Sequence, residues 1–127
     1  MPVVRLDDAY PLDALSLIKI DAEGMEASIL RGAKGLIERF RPVLYVENDR
    51  QEESEDLISL LFQLGYRAWW HLPPLFNPNN FAEDKENIYG RTVSVNMICI
   101  PKGKKVNMKG LREVSSTTEL PLSAKTQ

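Results

Sequence analysis

The sequence predicts an α/β fold, with a small sheet of about four mainly parallel strands, the last antiparallel, and helices packed on it. Three observations point there. The apolar runs Leu17–Ile20 and Val43–Val46 are short, and the second is continuous, as in a strand covered on both faces. Helix-period segments follow each of them. Only the connection to the final apolar run, Val93–Ile100, lacks a helical pattern, so that strand should return antiparallel, while right-handed helical crossovers keep the first three parallel.

In chain order, residues 3–10 (VVRLDDAY) read as a short strand or extended arm that Pro11 breaks. Leu15–Ile20 is the first sheet strand. Met25, Ile29, Ala33, Leu36 or Ile37, and Phe40 recur three or four apart and make one helix face, which Gly32 and Gly35 weaken enough to allow two shorter pieces. Glu26, Lys34, Glu38, Arg39 and Arg41 fall to solvent in this reading. Pro42 suits the first residue of a strand, here Val43–Asn48. Acidic residues then lead into Leu57, Ile58, Leu60, Leu61 and Leu64, a helix stopped by Gly65 just beyond its end. Tyr66–His71 is a third strand, in which alternation should expose one of Trp69 and Trp70. The following loop, about Pro73 to Thr92, is unusually long for a compact domain and carries Leu75, Phe76, Phe81, Ile88 and Tyr89, so it should pack. Residues 1–101 make the domain, and 102–127 a polar, weakly structured tail docked through Val106, Met108 and Leu111.

Composition narrows the function. A net charge of −2 argues against a nucleic-acid or anionic-membrane footprint. No apolar run approaches the ~20 residues of a membrane span. The single cysteine, Cys99, allows neither an internal disulfide nor a cysteine metal site and reads as a buried reduced thiol of a cytoplasmic protein. Asp21, Glu23, Glu47 and His71 have no spacing diagnostic of a metal, and none is expected.

The candidate site is the stretch where the first sheet strand ends, Asp21-Ala22-Glu23-Gly24. In open α/β sheets ligands bind outside the carboxyl ends of the parallel strands. The same acids also suit an ordinary helix start, where they satisfy free N–H groups. Glu47 and Asn48 close the next strand and either line a pocket or cap a helix. His71, the one histidine, closes the third strand at the same sheet edge, and the long loop begins there. Its asparagines, Asn77, Asn79, Asn80 and Asn87, suit a polyhydroxylated ligand or simply form turns beside proline.

These residues resemble the FkbM family of S-adenosylmethionine-dependent methyltransferases. The resemblance rests on Arg5-Leu6-Asp7-Asp8, Ile18-Lys19-Ile20-Asp21-Ala22-Glu23-Gly24-Met25-Glu26, Leu30-Arg31-Gly32-Ala33 and Arg41-Pro42-Val43-Leu44-Tyr45-Val46-Glu47, with Trp70–Phe81 similar to a subgroup. It implies the second half of a Rossmann-like methyltransferase sheet, with strands in the family's order fourth, fifth, seventh, sixth. It further implies O-methylation of a hydroxyl on a sugar or small metabolite. On that reading Asp21, Glu23 and His71 are catalytic; Asp21 and Gly24 bind cofactor; Glu47, Asn48, Asn77 and Asn80 bind acceptor. A departure accompanies it. The family holds its cofactor on a glycine-rich turn after its first strand, and no G-x-G pattern occurs here, so the isolated chain is expected to be inactive and not to bind cofactor by itself. The alternative is a non-catalytic α/β module that binds a glycan or protein and dimerises through the edge of its first sheet strand, unless the N-terminal arm covers that edge.

Overall fold

The structure, a computed structural model, describes residues 3–9 and 11–121. Tyr10, at the end of the expected arm, and residues 122–127 of the expected tail lie outside the described residues. The chain runs α1 (Leu6–Ala9), β1 (Leu17–Ile20), α2 (Glu26–Gly32), α3 (Lys34–Phe40), β2 (Val43–Glu47), α4 (Gln51–Gln63), β3 (Tyr66–His71) and β4 (Asn96–Pro101). The sheet order is β1-β2-β4-β3. β1 and β2 are parallel, and β4 lies antiparallel between β2 and β3. The first three strands therefore run one way and the last returns between two of them, which is the α/β fold and strand order that the resemblance implied.

Register assigns every strand side chain to a face. Ile18 and Ile20, Leu44 and Val46, Met97 and Cys99, and Tyr66, Ala68 and Trp70 share one face. Against them pack Leu30 of α2, Ile37 of α3, and Leu57, Ile58 and Leu61 of α4, which form one buried cluster. All three helices thus lie on the same side. The expectation that β2 is covered on both faces is corrected: its burial alternates, with Leu44 and Val46 buried but Val43, Tyr45 and Glu47 only half-buried. Large half-buried residues on the second face make a one-sided strand read as a continuous apolar run.

Local chemistry explains the boundaries. The break between α2 and α3 falls at Ala33, where φ −113 and ψ 11 interrupt the helix. Residues 3–9 are not a strand but an arm ending in the turn α1. The Asp7 carboxylate accepts the N–H groups of Gly35 and Leu36, both at 2.9 Å, and so caps the start of α3 from a distant part of the chain. This helix sits on α2 and α3 rather than along the outer edge of β1, which no described strand pairs. Gly65 adopts φ +79 directly after α4, as its position suggested. Arg41 is not simply solvated. It takes φ 50, donates to the carbonyls of Leu64 and Gly65 at 2.6 and 2.7 Å, and lies over the Tyr66 ring.

Two further expectations change. The long loop is closed at its base by the Pro74–Val93 bridge, and Phe81, Ile88 and Tyr89 are exposed instead of packed. Its shape comes from asparagines bonded to nearby backbone, which need no apolar contact. The tail docks chiefly through Val114, which is buried, while Met108 and Leu111 are half-buried and Val106 is exposed. Val114 N–H donates to the Ala68 carbonyl and Trp70 N–H to that of Arg112, so residues 112–114 run as a strap along the free edge of β3. The strap buries both tryptophans: Glu113 bridges to Trp69, and Trp70 Nε1 donates to Glu119 at 3.1 Å.

Candidate functional site

The DAEGME turn is built by a residue that sequence reasoning left to solvent. Glu26 is 5% exposed, and its Oε1 accepts the N–H groups of Ala22 and Gly24 at 2.9 and 3.3 Å. It closes the turn from the first position of α2, in the manner of a capping carboxylate. Glu23 has φ 56 and Gly24 φ +99, so the chain reverses sharply between β1 and α2. A Cβ on Gly24 would meet the Glu53 carboxylate at 3.1 Å, so a side chain of this protein already fills that space.

The reversal leaves Asp21 at the carboxyl end of β1 and directs Glu23 elsewhere. Asp21 is paired with Lys19 at 3.0 Å and lies beside Glu47. Glu23 is paired with Arg50 at 2.7 Å near the start of α4. Glu47 and Asn48, adjacent in sequence, point to opposite faces of the sheet. Asn48 is buried on the helix side, donating to Ser54 Oγ at 2.9 Å and approaching Met97 sulfur at 3.5 Å. Together with Asp49, Gln51 and Val95 it lines a cavity of ≈360 Å³.

On the face opposite the helices, the register Glu47–Asn96–His71 sets three polar side chains in one row across β2, β4 and β3. Asp21 extends the row beyond Glu47. With neighbouring strands about 4.8 Å apart, Glu47 and His71 stand about 10 Å apart across Asn96. The structure thus brings together Asp21, Glu47 and His71, from three different strand ends, on one edge. Glu23, Gly24 and Asn48 stay outside the row. So do Asn77 and Asn80: Asn77 Oδ1 accepts Asn79 N–H, and Asn80 bonds Asn77 and Asp84 backbone.

The row's electrostatics separate its two carboxyl groups. Burial, followed by the charges of Asp49 and Asp21, pushes the Glu47 carboxyl up to about 7. Hydrogen bonds from Lys19 and Glu47 hold Asp21 below its ordinary value. Of the two carboxyl groups Glu47 is therefore the one that holds a proton to higher pH, and its Oε2 is buried with no hydrogen-bond partner among the described residues. At the other end, His71 Nδ1 and the Tyr45 hydroxyl are 2.9 Å apart. Sequence reasoning missed Tyr45 and Asn96. The available signals were a tyrosine alternating onto the half-buried face of β2 and an asparagine inside an apolar strand.

Residues 1–68 match the family model of the methyltransferase FkbM domain. The chain belongs to the FkbM methyltransferase family. No curated protein and no solved structure matches it. The FkbM match includes α1, the DAEGME turn, β2 and α4, and so Asp21, Glu23, Gly24, Glu47 and Asn48, and it stops before His71. No helix among the described residues is long and apolar enough to cross a membrane, and no described group of His, Cys, Asp and Glu is arranged to hold a metal ion.

Proposed function

We propose that this FkbM chain supplies the acceptor side of an S-adenosylmethionine-dependent O-methyltransferase acting on a hydroxyl of a sugar or small metabolite. The domain in this reading is residues 1–101, and the rest of the chain is the strap and its end. The observation that carries it is the pairing of Asp21 with a Glu47 carboxyl raised to about 7 at the carboxyl ends of two parallel strands.

The bound cofactor would supply an electrophilic methyl group. Part of its chemistry fits the residues present: the Asp21 carboxylate and the unpartnered Glu47 Oε2 suit a cationic group such as an ammonium. The nucleoside finds no counterpart in the DAEGME turn, since Glu53 already occupies the space beside Gly24. Cofactor affinity in this reading depends on polypeptide beyond the described residues. Asp21 would hold the cationic end, and Glu47, titrating near neutrality, would take the acceptor hydroxyl proton as oxygen attacks. His71 would contact the acceptor from the far end of the row. Glu23, Asn77 and Asn80 enter as residues that shape the turn and the loop, and Asn48 as the wall behind Glu47.

The test is calorimetry and S-adenosylhomocysteine release with the full-length gene product, over a panel of sugars and small hydroxylated compounds. Cofactor binding, with turnover lost in Glu47→Gln, is expected. Absence of cofactor binding would sink the reading.

A second reading has one observation in its favour. β1 is paired only on its β2 side among the described residues, and Leu17 at that edge is 57% exposed. An open strand edge is a template for another chain. A non-catalytic module would dimerise there and bind glycan or protein without cofactor; a monomer by sedimentation would count against it.

A further inference from the structure

We infer that Tyr45 is a positioning residue, whose O–H donates to Nδ1 of His71, fixes the ring proton on Nε2, and makes His71 a hydrogen-bond donor at the site rather than its base. The identification of that donor's target as a methyl acceptor rests on the function proposed above.

The two rings come from strands that are not hydrogen-bonded neighbours in the sheet. Tyr45 lies on β2 and His71 on β3, and β4 runs between them. By register both project from the face opposite the helices, with His71 one pleat nearer the strand ends. The phenol reaches diagonally over β4, and the rings meet edge-on with centroids 5.8 Å apart at 62°. The hydroxyl stands 2.9 Å from Nδ1, and that is its one hydrogen bond among the described residues.

Direction follows from counting protons. A half-buried phenol needs an acceptor for its hydrogen, and Nδ1 is the acceptor in reach. If Nδ1 carried the proton and donated to the phenol oxygen, the phenol hydrogen would have no protein acceptor. Burial, and the Asp21 charge to a lesser degree, raise the Tyr45 hydroxyl above its ordinary value, so it keeps its proton. In the neutral ring a hydrogen bond accepted at Nδ1 puts the proton on Nε2. Nε2 has no partner among the described residues and is left to a ligand. The row then has two unlike ends: an accepting carboxyl at Glu47 and a donating imidazole at His71. A hydroxylated molecule lying across Asn96 can give a hydrogen to the first and take one from the second.

His71 is the only histidine in the chain, so its ring nitrogens can be read without assignment ambiguity. The experiment is two-bond ¹H–¹⁵N correlation on uniformly labelled protein at a pH where the ring is neutral. In wild type a single tautomer with the proton on Nε2 is expected. In Tyr45→Phe a mixture with Nδ1–H is expected, with the amide spectrum otherwise preserved. An Nδ1–H tautomer in wild type overturns the inference, and so does an unchanged tautomer population in a folded Tyr45→Phe. If that variant does not fold, the wild-type tautomer alone decides. Neither measurement needs cofactor or acceptor. A locked Nε2–H ring without any methyl transfer would therefore remove the functional reading and leave the positioning role standing. Where turnover is present, Tyr45→Phe should raise the acceptor KM several-fold with little change in kcat, because the phenol orients a binding contact and touches no reacting atom.

Discussion

Replacing Glu47 with glutamine should stabilise this protein at alkaline pH, although Glu47 stands at its candidate site. The native carboxyl titrates near 7, against an ordinary value of 4.5 in the unfolded chain. Because the native state holds its proton longer than the unfolded state, wild-type stability falls as pH rises from about 4.5 and the loss is complete above about 7. At about 1.4 kcal/mol per pH unit the whole difference is worth about 3 kcal/mol, and partial solvent screening of this half-buried group reduces it to about 1–2 kcal/mol. Glutamine cannot ionise, and its amide can still donate to Asp21. Asp7, Asp21, Glu113 and Glu119 are shifted the other way, so their contribution is already in place above the ordinary carboxylate range and drops out of this window. Urea unfolding of wild type and Glu47→Gln at pH 5, 6, 7 and 8 gives the readout. Near-equal stability at pH 5 is expected, with the variant ahead by about 1–2 kcal/mol at pH 8, or roughly 3–8 °C in Tm for a domain of this size. A variant less stable than wild type at pH 8 would refute the reasoning, because it would mean that the native fold welcomes the Glu47 charge.

Three other substitutions probe the scaffold. Glu26→Ala strands two N–H groups of the DAEGME turn and should cost about 1–3 kcal/mol by chemical denaturation, most of it recovered in Glu26→Gln, which keeps an acceptor oxygen. Gly24→Ala meets both a positive φ and the Glu53 carboxylate; a loss of about 1–3 kcal/mol is expected, and adding Glu53→Ala should return only the steric share. Val114→Ala loosens the strap over β3 and should cost about 2 kcal/mol, with a red shift of tryptophan emission as water reaches Trp69 and Trp70.

The elements legible in the sequence are those written in local periodicity. β2, α4 and the Gly65 stop come from residues within a few positions of one another, and the antiparallel return of β4 follows from a connection without helical pattern. What was not legible depends on partners far along the chain. Asp7 caps a helix that begins 27 positions later in the chain, at Lys34, so nothing local decided whether residues 3–10 were a short strand or an extended arm. Val114 pairs with Ala68, and no local pattern predicts that a polar tail will run along β3 and bury both tryptophans. The site divides in the same way. Strand ends bring Asp21, Glu47 and His71 to one edge, as the alternation of strands and helices suggested. Tyr45 needs the strand order before it can be seen to reach His71, because β4, the last strand in the chain, lies between them. The asparagine-rich loop was ambiguous for a local reason: Asn77, Asn80 and Asn87 all bond the loop's own backbone, the turn-forming use that the sequence left open beside ligand contact.

The clasp at the far end of the sheet gives the molecule a division of labour. There the Arg41 guanidinium grips the carbonyls that end α4, the Tyr66 hydroxyl donates to the Pro42 carbonyl at 2.7 Å, and Lys102 N–H returns to Gly65. These contacts tie together the starts of β2 and β3 and the exit of β4, a full strand length from Asp21, Glu47 and His71. One pole of the sheet is therefore an anchor and the other a workbench. Loops at the workbench can lengthen, shorten or change composition without loosening the joints that hold the strands in order, so this pole of the sheet can vary while foldability is guarded at the other.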